Sequence, residues 1–228
     1  ATFHAKPFSI RGPGNGGHFN FSLWRRNEGT ITDTLTAGHV SVLHDASQPD
    51  GLSAEGRCFL AGVLVHAPAL EALCSPTPPC YLRHGNWAPT HANYGPDDRS
   101  CAVRVKRSST SGCWFELRMP SASACAYLVI AGLVAAGLDG LERQLPLPPP
   151  RHDDAAVLPT TLDEALNALE ADDVLHRALG EALIRWFVNL KRAEMTAIEK
   201  RVDAESKVGA SDENARLEAW RHMYMEFI

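Results

Sequence analysis

Apolar and polar residues alternate strictly from His18 to Leu23, with Phe19, Phe21 and Leu23 on one side and His18, Asn20 and Ser22 on the other. A period of two is the mark of a strand with one buried face. Two later runs, CAVRV (101–105) and WFELRM (114–119), also read as strands, separated by the polar turn RSSTSG (107–112). In the second of these, Glu116 and Arg118 fall on one face and Phe115 and Leu117 on the other.

The rest of the chain is patterned for helices and loops. Ser53 is placed to cap a helix over 54–73. Residues 74–93 hold Pro76, Pro78, Pro79 and Pro89 and predict a long irregular loop. A helix over 121–142, rich in Ala and Gly, is composed for close burial. The connector LPLPPPRHDD (145–154) then opens a helical C-terminal third. Thr161 and Glu164 have the spacing of a capping box, and Leu162, Leu166 and Leu169 repeat at helical spacing. A long helix is expected over 173–204 and a last one over 212–227. No internal repeat is visible.

Composition narrows the classes. The 228 residues are 45% hydrophobic and 21% charged, an ordinary globular balance. A formal charge of −5 offers no basic footprint for nucleic acid. The most apolar stretch, 124–138, is shorter than the roughly 18 residues a membrane span needs. Six cysteines without a paired CxxC spacing point to reduced thiols rather than a zinc site. No secretory signal opens the chain, so a cytoplasmic setting is expected.

Candidate chemistry starts at GPGNGG (12–17), which satisfies GxGxxG but precedes a strand, not the helix a dinucleotide fingerprint requires. Kinase elements are missing as well. The glycines still allow backbone to approach a ligand closely. His18 and Glu116 could together hold a hard or borderline divalent cation, and Arg118 could grip a carboxylate. Arg83, Arg99 and Arg104 lie in the segments just before. On composition alone such arginines are more often a solvated rim.

Taken in order, ATFHAKP, GNGGHFNFSLW, FLAGVLVHAPALEAL, PTPPCYLR, WAPTHANYG, DDRSCAVRV, ELRMP, YLVIAGLVAAGLDGL and LPTTLDEALNALE resemble the glutamine synthetase superfamily, over residues 1 to about 195. The resemblance implies an α/β (α+β) fold: an antiparallel curved sheet with helices on one side and a helical C-terminal third. It implies the C-terminal part of a catalytic domain, with 1–142 strand-rich, 143–160 a connector and 161–228 helical. It also implies an ATP-dependent ligase that phosphorylates glutamate and passes the acyl group to an amine. By the same resemblance His18 and Glu116 bind Mg²⁺ or Mn²⁺, and Arg83, Arg118 and Gly14 hold glutamate. Arg99 and Arg104 face phosphates, Asn20 and Ser22 contact ATP, and Arg99 and Trp87 are the catalytic positions.

Departures from the family pattern are informative. Ammonia-using members carry a glutamate before an Ala-Pro pair, where this chain has Trp87. Indole cannot take a proton from ammonium. WAPT resembles ligases acting on polyamines and other organic amines, where an aromatic wall stacks on the amine. Between Arg83 and Trp87 the chain is about two residues short. Asn20 stands for a histidine, Trp114 for an arginine, Pro79-Cys80 for Asn-Ser and Cys125-Ala126 for Asn-Pro. The family's N-terminal β-grasp domain and first catalytic half, which supply most metal-binding carboxylates, have no counterpart in these residues. The 228 residues alone are therefore expected to be inactive, with the parent assembling into hexameric or dodecameric rings. The competing expectation is a non-enzymatic scaffold similar to the lens protein lengsin.

Overall fold

The computed structural model describes residues 2–26, 39–108, 112–152, 154–205 and 213–227. Residues 109–111 of the expected turn and Asp212 at the expected start of the last helix lie outside them. A four-stranded sheet, in the order β1-β6-β5-β4, is built from β1 (Phe19–Phe21), β4 (Tyr94–Pro96), β5 (Val103–Ser108) and β6 (Gly112–Leu117). β1–β6 and β5–β6 are antiparallel as expected, but β4 runs parallel to β5, so the sheet is mixed. β5 and β6 each sit about two residues from the ranges read in the sequence. A separate ribbon pairs β2 (Trp24–Arg26) with β3 (His39–Ser41).

The alternation read in the sequence sets the two faces. Val103, Val105, Phe115 and Leu117 are buried in the main core, and Phe21 lies against Phe59 and Phe115 with ring centroids 5.9 and 5.7 Å away. Phe59 belongs to α1 (Ala54–Val65), so helices cover this face. Ser53 caps α1 as read, its hydroxyl accepting from the Gly56 amide at 2.8 Å. The expected single helix over 54–73 is instead two. α1 ends at His66, and α2 (Ala67–Cys74) starts afresh with Pro68 in its first turn, bent by 69°. Proline cannot donate in a helix interior, and it fits the first turn of a new one.

α1 packs on α4 (Ala126–Glu142) at backbone distance. A Cβ on Gly62 would lie 2.2 Å from the Ala136 carbonyl oxygen, and one on Gly140 would lie 2.1 Å from that of Cys58. The Ala/Gly composition is thus used for close approach, although α4 starts later than expected and exposes Tyr127, Ile130, Val134 and Leu138.

The proline-rich segment is not wholly irregular, since α3 (Pro78–Tyr81) turns within it. α5 (Leu162–Glu170) carries both halves of the capping box. The long helix expected over 173–204 breaks at Gly180, whose φ of 92° ends α6 (Asp173–Leu179) before α7 (Glu181–Glu205). α8 (Glu213–Phe227) folds back onto the N-terminal segment, with Arg221 donating to the Pro7 carbonyl at 3.0 Å and Glu218 accepting from the Ile10 amide at 3.0 Å. Among the described residues no single helix is long and apolar enough to cross a membrane. All six cysteines are free thiols, four of them buried.

Candidate active site

The polar face of the sheet carries the expected residues. Pairing sets Asn20 of β1, Glu116 of β6 and Arg104 of β5 abreast. Glu116 is 5% exposed and gathers four cationic or cationisable groups. Arg118 Nη1 lies 2.6 Å away, Lys106 Nζ 3.0 Å, Arg104 Nη1 3.2 Å and His18 Nδ1 3.2 Å. Residues 18 and 116, distant in sequence, meet because β1 pairs with β6. Arg118 also donates through Nε to the Arg99 carbonyl at 2.9 Å, tying the loop before β5 to the same centre.

These charges set one another's protonation. Burial alone would raise the Glu116 pKa, but the hydrogen bond from Lys106 and the charge of Arg118 outweigh it and hold the carboxyl below its usual value. Burial first, then the Arg118 charge, push the His18 imidazole below its ordinary value, against the pull of Glu116. A neutral imidazole beside a carboxylate is the form that binds a metal.

Arg83 enters from the turn after α3 and is only 4% exposed. A Cβ on Gly14 would sit 2.8 Å from its side chain, and one on Gly16 would sit 2.9 Å from its Nη2. The glycines therefore let the loop close over a guanidinium. Its Nη1 is buried without a hydrogen-bond partner among the described residues. Trp87 stands at the tip of the same turn, 86% exposed and with φ of 85°, a left-handed conformation rare for a bulky residue. Below the turn, His84 Nε2 lies 3.1 Å from Oε1 of the fully buried Glu71, which braces its base.

One cleft of about 490 Å³ is lined by Gly14, Gly16, His18, Arg83, Asn86, Trp87, Arg99, Arg104, Glu116 and Arg118. Eight of the ten expected site residues are among them. Asn20 and Ser22 are not. Asn20 Oδ1 accepts from Lys106 at 3.0 Å, one step behind the wall, and Ser22 accepts from the Trp24 indole at 2.8 Å.

A family model described as glutamine synthetase, catalytic domain, matches residues 1–207. The chain belongs to the glutamine synthetase family. It is 38% identical over 216 residues to the glutamate–methylamine ligase of Methyloversatilis universalis, covering 85% of this chain and 45% of the relative. It is 36% identical over 209 residues to the gamma-glutamylpolyamine synthetase of Streptomyces coelicolor, covering 83% and 42%. The chain thus spans about half the length of these curated relatives. Its fold matches the solved GmaS–ADP complex with a TM-score of 0.72, at 34% identity over 87% of this chain and 46% of that one. A novel glutamine synthase homolog matches with a TM-score of 0.75, at 28% identity over 99% and 48%.

Around the glutamine synthetase cleft stand further residues, Lys106 beside Glu116, Asn86 in the lining and the Glu71–His84 pair below Trp87. Lys106 was legible, because Arg104 and Lys106 alternate with Val103 and Val105. Asn86 and the Glu71–His84 pair carry no local signal. As a cation site the domain is partial. His18 and Glu116 supply two donors, and no group of three or more His, Cys, Asp or Glu side chains is arranged to hold a metal ion among the described residues. The pair fits one flank of a divalent-ion site, not a closed cage.

Proposed function

We propose that this domain serves an ATP-dependent ligase that forms a γ-glutamyl amide from glutamate and, in preference to ammonia, an organic amine. The observation that carries the reading is the convergence of Arg83, Arg99, Arg104 and Arg118 on one cleft around the His18–Glu116 pair. A γ-carboxylate oxygen of glutamate attacks the terminal phosphorus of ATP, and ADP leaves. The amine nitrogen then attacks the acyl carbon, the C–O bond to phosphate breaks, and inorganic phosphate and a proton depart. Both steps crowd anions, which the arginines neutralise in a partly dry site.

Arg83 and Arg118 are the pair to hold the carboxylates of glutamate, with the Gly14 backbone close by. Arg99 and Arg104 are the residues to neutralise transferred phosphate, and Asn20 on β1 and Ser22 just after it are those to contact the nucleotide. Mg²⁺ or Mn²⁺ held by His18 and Glu116 supplies Lewis-acid polarisation of phosphate oxygens when bound. Two protein donors would not complete a divalent-ion site, so we also propose that these residues form part of a larger active site. Trp87 offers a π face where a carboxylate would be needed to attract ammonium and take its proton. Ring assembly, on the family resemblance, and a cytoplasmic setting complete the reading.

Manganese binding followed by electron paramagnetic resonance tests it directly. His18→Ala and Glu116→Ala are each expected to weaken Mn²⁺ binding by more than about tenfold. Unchanged binding in both variants would sink the ligase and favour a scaffold. ADP release by the full-length protein with glutamate, compared across ammonia, methylamine, ethanolamine and putrescine, then ranks the amines.

A further inference from the structure

A second cleft of about 620 Å³ adjoins the first, sharing Gly14, Asn86 and Trp87 as a common wall. Among the described residues that line it, only Lys6 and Arg11 are charged. Lys6 is 3% exposed, and its ammonium donates to the Gly12 carbonyl at 2.9 Å. It has no carboxylate partner among the described residues, and neither does Arg11. Burial, then the nearby Arg83 charge, pull the Lys6 pKa down. A cation sequestered without a counter-ion is costly, and an arriving anion offsets that cost. The Gly12–Gly14 loop lines it too, with Leu82 and Leu217 as apolar contacts and Asn86 and Asn214 as neutral polar ones.

We propose, resting on the ligase reading above, that this cleft takes the tail of the acceptor amine and that the tail carries a carboxylate. Trp87 separates the two clefts, so an amine lying along it has its nitrogen toward the Arg83 side and its other end toward Lys6 and Arg11. A polyamine in the same position brings a second ammonium to two like charges, with no carboxylate among the described lining residues to receive it. The acceptor is then an amino acid or a close analogue, not a diamine.

γ-Aminobutyrate and putrescine have the same four-carbon length and differ at one end, so they isolate the charge. In calorimetric titrations γ-aminobutyrate is expected to bind at least about tenfold more tightly than putrescine, as one charge-assisted contact allows. Arg11 lines only the second cleft, and Arg11→Gln is expected to bring the two ligands within about twofold. Lys6→Met should act in the same direction. If its buried position prevents folding, Arg11→Gln decides alone. Putrescine binding as tightly as γ-aminobutyrate overturns the proposal. So does a preference that survives Arg11→Gln, or no γ-aminobutyrate binding at all. Glutamate binding in the same titration, sensitive to Arg118→Met and not to Arg11→Gln, reports on the ligase reading separately.

Discussion

Behind the sheet, where α1, α2, α4 and α6 meet, a buried histidine sits between two carboxylates. His66 Nδ1 lies 2.5 Å from Asp172 and Nε2 lies 3.0 Å from Asp139, which also accepts from Arg143 at 3.0 Å. In front of the sheet, Lys6 and Arg83 are as deeply buried, yet neither has an ion-pair partner among the described residues, and one Arg83 nitrogen has no hydrogen bond. The same chain thus satisfies its buried charges on one side and leaves cations in excess on the other. Buried charge matched within the chain serves the fold, and buried charge left over is matched by what binds. Breaking the rear should cost stability, and changing the front should cost binding more than folding.

The largest effect is expected at His66. His66→Gln leaves Asp139 and Asp172 poorly compensated and should cost about 4 kcal/mol in urea denaturation. The pH dependence gives a second readout. Burial opposes protonation of His66, but its hydrogen bonds to Asp172 and Asp139 win and raise its pKa. Its contribution is therefore complete below about pH 6.5 and drains away as pH climbs through the raised value. Asp172 works at the other end. Its pKa is lowered despite burial, chiefly by the bond from His66, so its share is present above about pH 3.9 and is lost as pH falls through the depressed value. His66→Gln should flatten the alkaline loss. A variant keeping the wild-type profile above pH 6.5 would show that the clasp is not the source.

Next comes the helix crossing. Gly62→Ala puts a methyl 2.2 Å from a backbone oxygen that cannot rotate away, so α1 and α4 must separate. A loss of about 3 kcal/mol is expected, the upper end for overpacking a core. Manganese binding by the molecules that remain folded should be unchanged, because the sheet face lies beyond this layer. Unaltered stability would mean that the crossing yields easily.

The two regions were not equally legible in the sequence. The front was, because its geometry follows local alternation: Glu116 and Arg118 against Phe115 and Leu117, and His18 and Asn20 against Phe19 and Phe21. Once β1 pairs with β6, those residues must meet. The caps at Ser53 and Thr161 were legible for the same local reason. The rear clasp was not, since His66 comes from the α1–α2 junction, Asp139 from α4 and Asp172 from the N-cap of α6, and no spacing links them. The break at His66 was signalled by Pro68, but a continuous apolar run masked it. The parallel edge strand was hidden too, because Tyr94–Pro96 is too short for alternation to show. The Glu71–His84 brace depends on where α2 ends, which only packing determines.

The smallest effect, and the sharpest test of the comparison, is at Trp87. At φ of 85° a tryptophan pays for a conformation that glycine adopts freely, as Gly85 does at 72° two residues earlier. The indole is 86% exposed, so replacing it removes little packing. Against the relief of strain stands the greater freedom that glycine gives the unfolded chain. The two leave Trp87→Gly more stable by about 0.5–1 kcal/mol. The same change removes the wall between the clefts, so amine affinity should fall while glutamate and Mn²⁺ binding hold. A stability gain with a binding loss is what a residue kept for its ligand gives. If Trp87→Gly instead lowers stability and leaves every ligand's affinity unchanged, the indole belongs to the fold, and the front of the sheet is no different from the rear.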